Sequence, residues 1–289
     1  MKNYVEFCEK DYENQLYIQL AFGNNKIVTP NQIFEASFGV DAMIMAEHPN
    51  FWDYFGFNNI PNGAILGHFN YRRLNKKIDK NILPKNFSTN LLIQSKRPYK
   101  RNIKVNSNLR NLLSNPCLSF DIYKKQQLIL EKVAKTLNHK ALVIYASASF
   151  TTFNEYWQFL DEKKLVENCS YVKVEKMINH KKWNYDSPGT NGVATSKLEW
   201  ISEGSLYDLL AKAHEQHDEK INAKNSLHQL SKDLMTICNE LKEDSFIARK
   251  SIEQINYIKE YDKLPEYLMD YLISNIVFNN IGLQWFVIV

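Results

Sequence analysis

Leu91-Leu92-Ile93-Gln94-Ser95-Lys96-Arg97-Pro98 is the stretch on which the reading of this chain turns. An apolar run enters a Gln and a Lys two positions apart, and a dense basic segment follows. Successive side chains of a strand point to opposite faces. Gln94 and Lys96 are therefore expected to project together from the end of a buried strand, with Ile93 and Ser95 on the other face.

Working outward, the C-terminal side alternates helix and strand. Gln126 to Leu137 carries apolar residues at Leu130, Val133, Ala134 and Leu137, a helical stripe. Ala141 to Ala146 is a continuous apolar run, as in a strand buried on both faces. Phe153 to Leu160 has a helical pattern, and Ser170 to Val174 alternates like a further strand. His180 to Ser196 is turn-rich around Pro188-Gly189-Thr190-Asn191-Gly192. After Ser202 the pattern is helical. Leu227, Leu230, Leu234, Ile237 and Leu241 recur at alternating three- and four-residue steps, the spacing of a helix–helix seam. Leu283 to Val289 is apolar and suits a buried terminal strand.

On the N-terminal side, Tyr4 to Phe22 alternates around Leu16 to Leu20 and predicts a strand. Thr29-Pro30 has the cap and first-turn residues of a helix, which Gly39 would end after Phe38. Val40 to Ala46 reads as a strand opened by Asp41, with Glu35 on the helix before it. From His48 to about Asn86 no clear period emerges, a long insertion ahead of the Gln94 strand. Together the elements predict an α/β fold with a mixed sheet flanked by helices, and a helical C-terminal region.

The chain has 289 residues with 44% hydrophobic and 24% charged content, a globular composition. The N-terminus has no basic-then-apolar leader pattern, no apolar run approaches membrane-spanning length, and four cysteines without paired spacing suit a reducing cytoplasm. Cys8, Cys117, Cys169 and Cys238 lie far apart, without the paired spacing of a zinc site or disulfide framework. The net charge is only +4, but it is unevenly spread. Arg72, Arg73, Arg97, Lys100, Arg101 and Lys104 belong to a run from His68 to Arg110 in which Asp79 is the only acid. Such a field suits a polyanion such as a nucleic acid. From Glu203 onward acids outnumber bases, which disfavours a phosphate backbone there.

Two acids, an amide and a lysine beside basic surface suit metal-dependent phosphodiester hydrolysis. Mg2+ or Mn2+ prefers oxygen ligands, which Asp41, Glu35 and the Gln94 side-chain oxygen offer. Lys96 is suited to hold the attacking water or to stabilise transition-state charge.

These residues resemble the PD-(D/E)XK superfamily, the restriction-endonuclease-like nucleases. In that pattern an acid on one strand is followed by Glu or Gln, any residue and Lys on the next, often with a further Glu from the preceding helix. The resemblance implies the acidic position for Asp41, the (D/E/Q)-x-K positions for Gln94 and Lys96, and the helix position for Glu35. Ile-Gln-x-Lys-Arg is most similar to the Mrr-like branch, where Gln is usual. The next helix in that superfamily often turns a Gln toward the site, which Gln126 or Gln127 matches. The long insertion between Asp41 and Gln94, and Ser95 in place of a small apolar residue, depart from the pattern. Tyr17 to about Glu199 also resembles bacterial proteins found among antiphage-defence genes. What this implies is a nuclease domain over 1–202 and a helical region over 203–289. The activity expected is a metal-dependent endonuclease cutting DNA, in restriction or antiviral defence. A homodimer or a partner defence protein would meet the C-terminal helices.

Two other functions fit the same residues, a non-catalytic nucleic-acid-binding module and an assembly subunit that recruits a separate effector or ATPase. Other motifs argue for less. His180, Trp183 and Tyr185 offer either an aromatic surface for bases or a packed loop. His214 and His217, with Glu215 and Asp218, do not match His-Glu-x-x-His. Ser147 and Ser149 lie outside a nucleophile elbow, and no Gly-rich phosphate loop exists.

Overall fold

A computed structural model describes residues 3–22, 26–28, 43–45, 64–65, 89–215, 223–259 and 266–288. Two compact units divide the chain. One comprises residues 1–3, 83–149 and 170–289, the other residues 4–82 and 150–169.

In the larger unit the Gln94 stretch forms β5 (Thr89–Ser95); before it in the chain come β1 (Asn3–Tyr4) and, in the smaller unit, β2 (Lys26–Val28), β3 (Met43–Met45) and β4 (Ala64–Ile65). Leu91, Leu92 and Ile93 are buried, so β5 is covered on both faces. The apolar run expected as a strand is β8 (Ala141–Ala148), buried along almost its whole length. It lies parallel to β5, with Gln94 opposite Tyr145 and Ser95 opposite Ala146. A parallel pair needs a crossover. Here it holds β6 (Tyr99–Arg101), β7 (Cys117–Asp121) and helix α2 (Lys124–Leu137); α1 is Glu9–Phe22, in the smaller unit. Of the predicted stripe, Leu130, Val133 and Leu137 of α2 are buried and Ala134 is half-buried; Ile129 is buried as well, and α2 packs on β8.

The sheet is completed by β9 (Cys169–Lys173) beside β8 and by β13 (Gln284–Ile288) beside β5. The terminal strand is thus present, antiparallel to β5, with Gln284 opposite Ile93. The sheet is mixed, as expected.

A second sheet of six strands runs β1-β6-β7-β10-β11-β12, antiparallel from β6 onward, with β10 (Lys182–Tyr185), β11 (Gly192–Thr195) and β12 (Glu199–Ile201). The segment expected to be turn-rich is therefore a hairpin, with its turn residues confined to the connection. Trp183 and Tyr185 are completely buried, which removes them as a surface for bases. The Trp183 indole donates to Ser170 Oγ at 3.0 Å and the Tyr185 hydroxyl to the Ala148 carbonyl at 2.6 Å. Gly192 is required here, because a Cβ would collide with the Trp183 ring.

Five further helices are described: α3 (Phe153–Asp161), α4 (Leu206–Glu215), α5 (Ala223–Leu241), α6 (Phe246–Lys259) and α7 (Glu266–Ile281). Leu227, Leu230, Leu234 and Ile237 of α5 are all buried. Helix α5 packs on α2, α6 and α7, while α4 packs on β8. The seam is filled from within the chain, and those leucines are not available to a second copy.

In the smaller unit the strand expected around Leu16 to Leu20 is helix α1. The short alternation is overruled by packing, which buries Tyr12, Glu13, Gln15 and Leu16 at helical spacing although the helix has almost no apolar periodicity of its own. Asp11 supports its start, its Oδ2 accepting from the Cys8 N–H at 2.7 Å. Helix α3 begins with a capping box, Thr152 with Glu155. Phe7, Tyr12, Phe150 and Tyr156 form an aromatic core, with Phe7 and Phe150 centroids 5.0 Å apart. The expected strand over Val40 to Ala46 is described only as β3. The helix expected from Thr29 lies outside the described residues, as does nearly all of the insertion.

Candidate functional site

The two-residue spacing of Gln94 and Lys96 works as the strand geometry requires. Both side chains meet one partner, Gln126, on the first turn of α2. Gln126 Nε2 donates to Gln94 Oε1 at 2.6 Å, and Lys96 Nζ donates to Gln126 Oε1 at 2.6 Å. One amide thus holds the motif's amide and its ammonium in a fixed relation. Gln94 Nε2 donates back to the Ser95 carbonyl at 3.2 Å.

Gln94 and Lys96 are each only 6% exposed. Burying an ammonium opposes folding unless it is compensated. Part of the compensation is aromatic, since Lys96 Nζ lies 5.2 Å from the Tyr123 ring centroid and 5.6 Å from that of Tyr145. Lys96 lies just past the last strand residue, yet its N–H still donates to Ala146 O at 2.9 Å, and Ser147 Oγ donates to its carbonyl at 2.8 Å. The backbone under the ammonium is therefore anchored to β8.

Of the two neighbouring glutamines, Gln126 faces the motif and Gln127 does not. Gln127 takes the Tyr145 hydroxyl on Oε1 and donates to Val174 O at 3.1 Å. Burial, reinforced by the nearby Glu131 charge, pushes the Tyr145 phenol far above its ordinary range, so it remains a neutral donor.

The far side is closed by the chain just after α7. Gln126 Nε2 lies 3.5 Å from the Ile281 carbonyl. Gly282 follows with φ +75°, and a Cβ there would sit 3.3 Å from Gln94 Oε1. Only glycine takes this backbone freely and leaves the amide undisturbed. The contact joins residues far apart in sequence, and no local pattern announces it.

Asp41 and Glu35 lie outside the described residues, as do Arg72 and Arg73. Of the remaining expected nucleic-acid contacts, Lys100 and Lys104 are exposed and Arg97 is half-buried. Arg101 is half-buried and its guanidinium is bonded to Asn184 Oδ1. It serves the second sheet as well as any surface. His217 and Asp218 are outside the described residues.

A second cluster, not anticipated from sequence, brings together His228, Glu266 and Asp270. Among the described residues no helix is long and apolar enough to cross a membrane. Compared with known proteins, the chain matches no family model, no curated protein and no solved structure.

Proposed function

We propose that this chain is a metal-dependent endonuclease of restriction-endonuclease-like fold that hydrolyses DNA phosphodiester bonds in the cytoplasm, in restriction or antiviral defence. What supports the reading most is one observation: Gln94 and Lys96, at the end of a buried strand, converge on Gln126 from the crossover helix. A purely structural Gln-x-Lys at a strand end has no need of a buried ammonium.

In this reading a bound Mg2+ or Mn2+ supplies an activated water and neutralises the non-bridging phosphate oxygens. Gln94 Oε1, oriented by Gln126, is the neutral ligand. Lys96 places its ammonium at the attacking water or at the charge that develops on phosphorus oxygens. Gln126 fixes the ammonium's position, while Tyr123 and Tyr145 limit water around it. Asp41 and Glu35, outside the described residues, are the carboxylates that the resemblance implies. Lys100 and Lys104 contact the phosphate backbone without reading sequence.

The test uses the full chain, duplex DNA, and Mg2+ or Mn2+ with a chelator control. Metal-dependent cleavage is expected, falling roughly a hundredfold or more in Asp41→Ala and in Lys96→Met. Full activity in Lys96→Met sinks the assignment. Tight DNA binding without hydrolysis in any divalent metal would favour the non-catalytic module instead.

A further inference from the structure

Helices α5 and α7 bring a histidine and two carboxylates together, apart from the Gln94–Lys96 site. His228 and Ser231 are three apart on α5, and Glu266 and Asp270 four apart on α7, so each pair shares a helix face. His228 Nδ1 lies 2.9 Å from Asp270 Oδ2 and 3.7 Å from Glu266 Oε1. The three donor atoms are within 4.8 Å of one another. Tetrahedral bonds of about 2.0–2.1 Å hold neighbouring ligand atoms roughly 3.3–3.5 Å apart, so small adjustments would seat one ion.

The carboxylate at the centre is already oriented. Asp270 is 6% exposed, and its Oδ1 accepts from the Ser231 hydroxyl, leaving Oδ2 toward the imidazole. Support of this kind behind a ligand is what a metal site uses to aim its donors. Glu266, by contrast, has a side chain 83% exposed, so solvent and ions reach the cluster from that side. Two carboxylates against one imidazole also leave negative charge that a single imidazolium does not balance.

We propose that His228, Glu266 and Asp270 bind a first-row divalent transition-metal ion of the Zn2+ or Co2+ class, clamping α7 to α5. The imidazole selects against Mg2+, which takes oxygen ligands. The clamp holds the N-terminal end of the helix whose other end presents the Ile281 carbonyl to Gln126. The proposal is independent of the nuclease reading.

The experiment is a Co2+ titration of the chelator-stripped full chain, followed by visible d–d absorption. Saturation with one equivalent at this site is expected, displaced by Zn2+ and not by excess Mg2+. His228→Ala should remove that equivalent, Asp41→Ala should retain it, and Glu266→Ala should weaken it at least about tenfold. Glu266 is exposed, so its variant reports on binding with folding intact, as far-UV circular dichroism checks. No band, or a band whose intensity and stoichiometry survive His228→Ala and Glu266→Ala, overturns the site.

Discussion

Replacing Lys96 by Met should leave the protein as stable as before, while replacing Gln126 by Ala should not. In Lys96→Met the chain loses a charge-assisted hydrogen bond to Gln126, worth about 1.5–3 kcal/mol. It also loses the attraction to two aromatic faces, about 0.5–2 kcal/mol together. Against this, the variant no longer takes an ammonium out of water into a site 6% exposed, a cost of several kcal/mol. Met fills the space of the stem and packs on the rings. The opposing contributions are of like size, so Lys96→Met should lose less stability than Gln126→Ala. Gln126→Ala keeps the ammonium buried, removes its acceptor, and takes the donor from Gln94 Oε1. Leaving two buried partners short should cost about 2–4 kcal/mol. Urea unfolding followed by far-UV circular dichroism, with hydrolysis measured on the same samples, compares the two. The expected pattern is an inactive, stable Lys96→Met beside a destabilised Gln126→Ala. If Lys96→Met loses as much stability as Gln126→Ala, the lysine is a structural pin and the argument for stored chemical function fails.

Lys100→Glu and Lys104→Glu, both at exposed positions, should each weaken binding to any duplex and lower the slope of log affinity against log salt by about one; an unchanged slope places the DNA elsewhere. Thr152→Ala should cost about 1 kcal/mol by removing the cap of α3, read as a shifted urea midpoint. Burial raises the Glu155 carboxyl, but bonds from the Thr151 and Thr152 N–H groups and hydroxyls outweigh it and hold it below the usual glutamate range. That carboxylate's contribution is therefore complete above the unfolded value and is lost as pH falls through the lower folded one, so Glu155→Gln should flatten the acid limb of stability. Leu234→Ala should cost about 2–5 kcal/mol without altering mass in solution, because Leu234 is fully buried within the chain.

Much of this protein is legible in its sequence wherever the deciding forces are local. The stripe of α2, the apolar run of β8 and the helical pattern of α3 follow from side-chain period, which acts within a few residues. The shared face of Gln94 and Lys96 follows from strand alternation in the same way. At Leu16 to Leu20 the short alternation misleads, because no local period marks the helix and the burial of Tyr12 and Leu16 decides for it. Tertiary structure alone decides what long-range packing brings together. Gln126 rather than Gln127 meets the motif because the crossover sets how α2 is rotated over β5 and β8. The terminal strand pairs with β5, and Gly282 lies beside Gln94, because β13 and α7 return to the start of the unit's sheet. The α5 stripe looks alike in sequence whether it faces a second chain or its own, since leucine spacing specifies a seam and not the partner. His228 and Asp270 are far apart in sequence on helices of ordinary pattern, and only helix packing puts imidazole and carboxylate within hydrogen-bond reach.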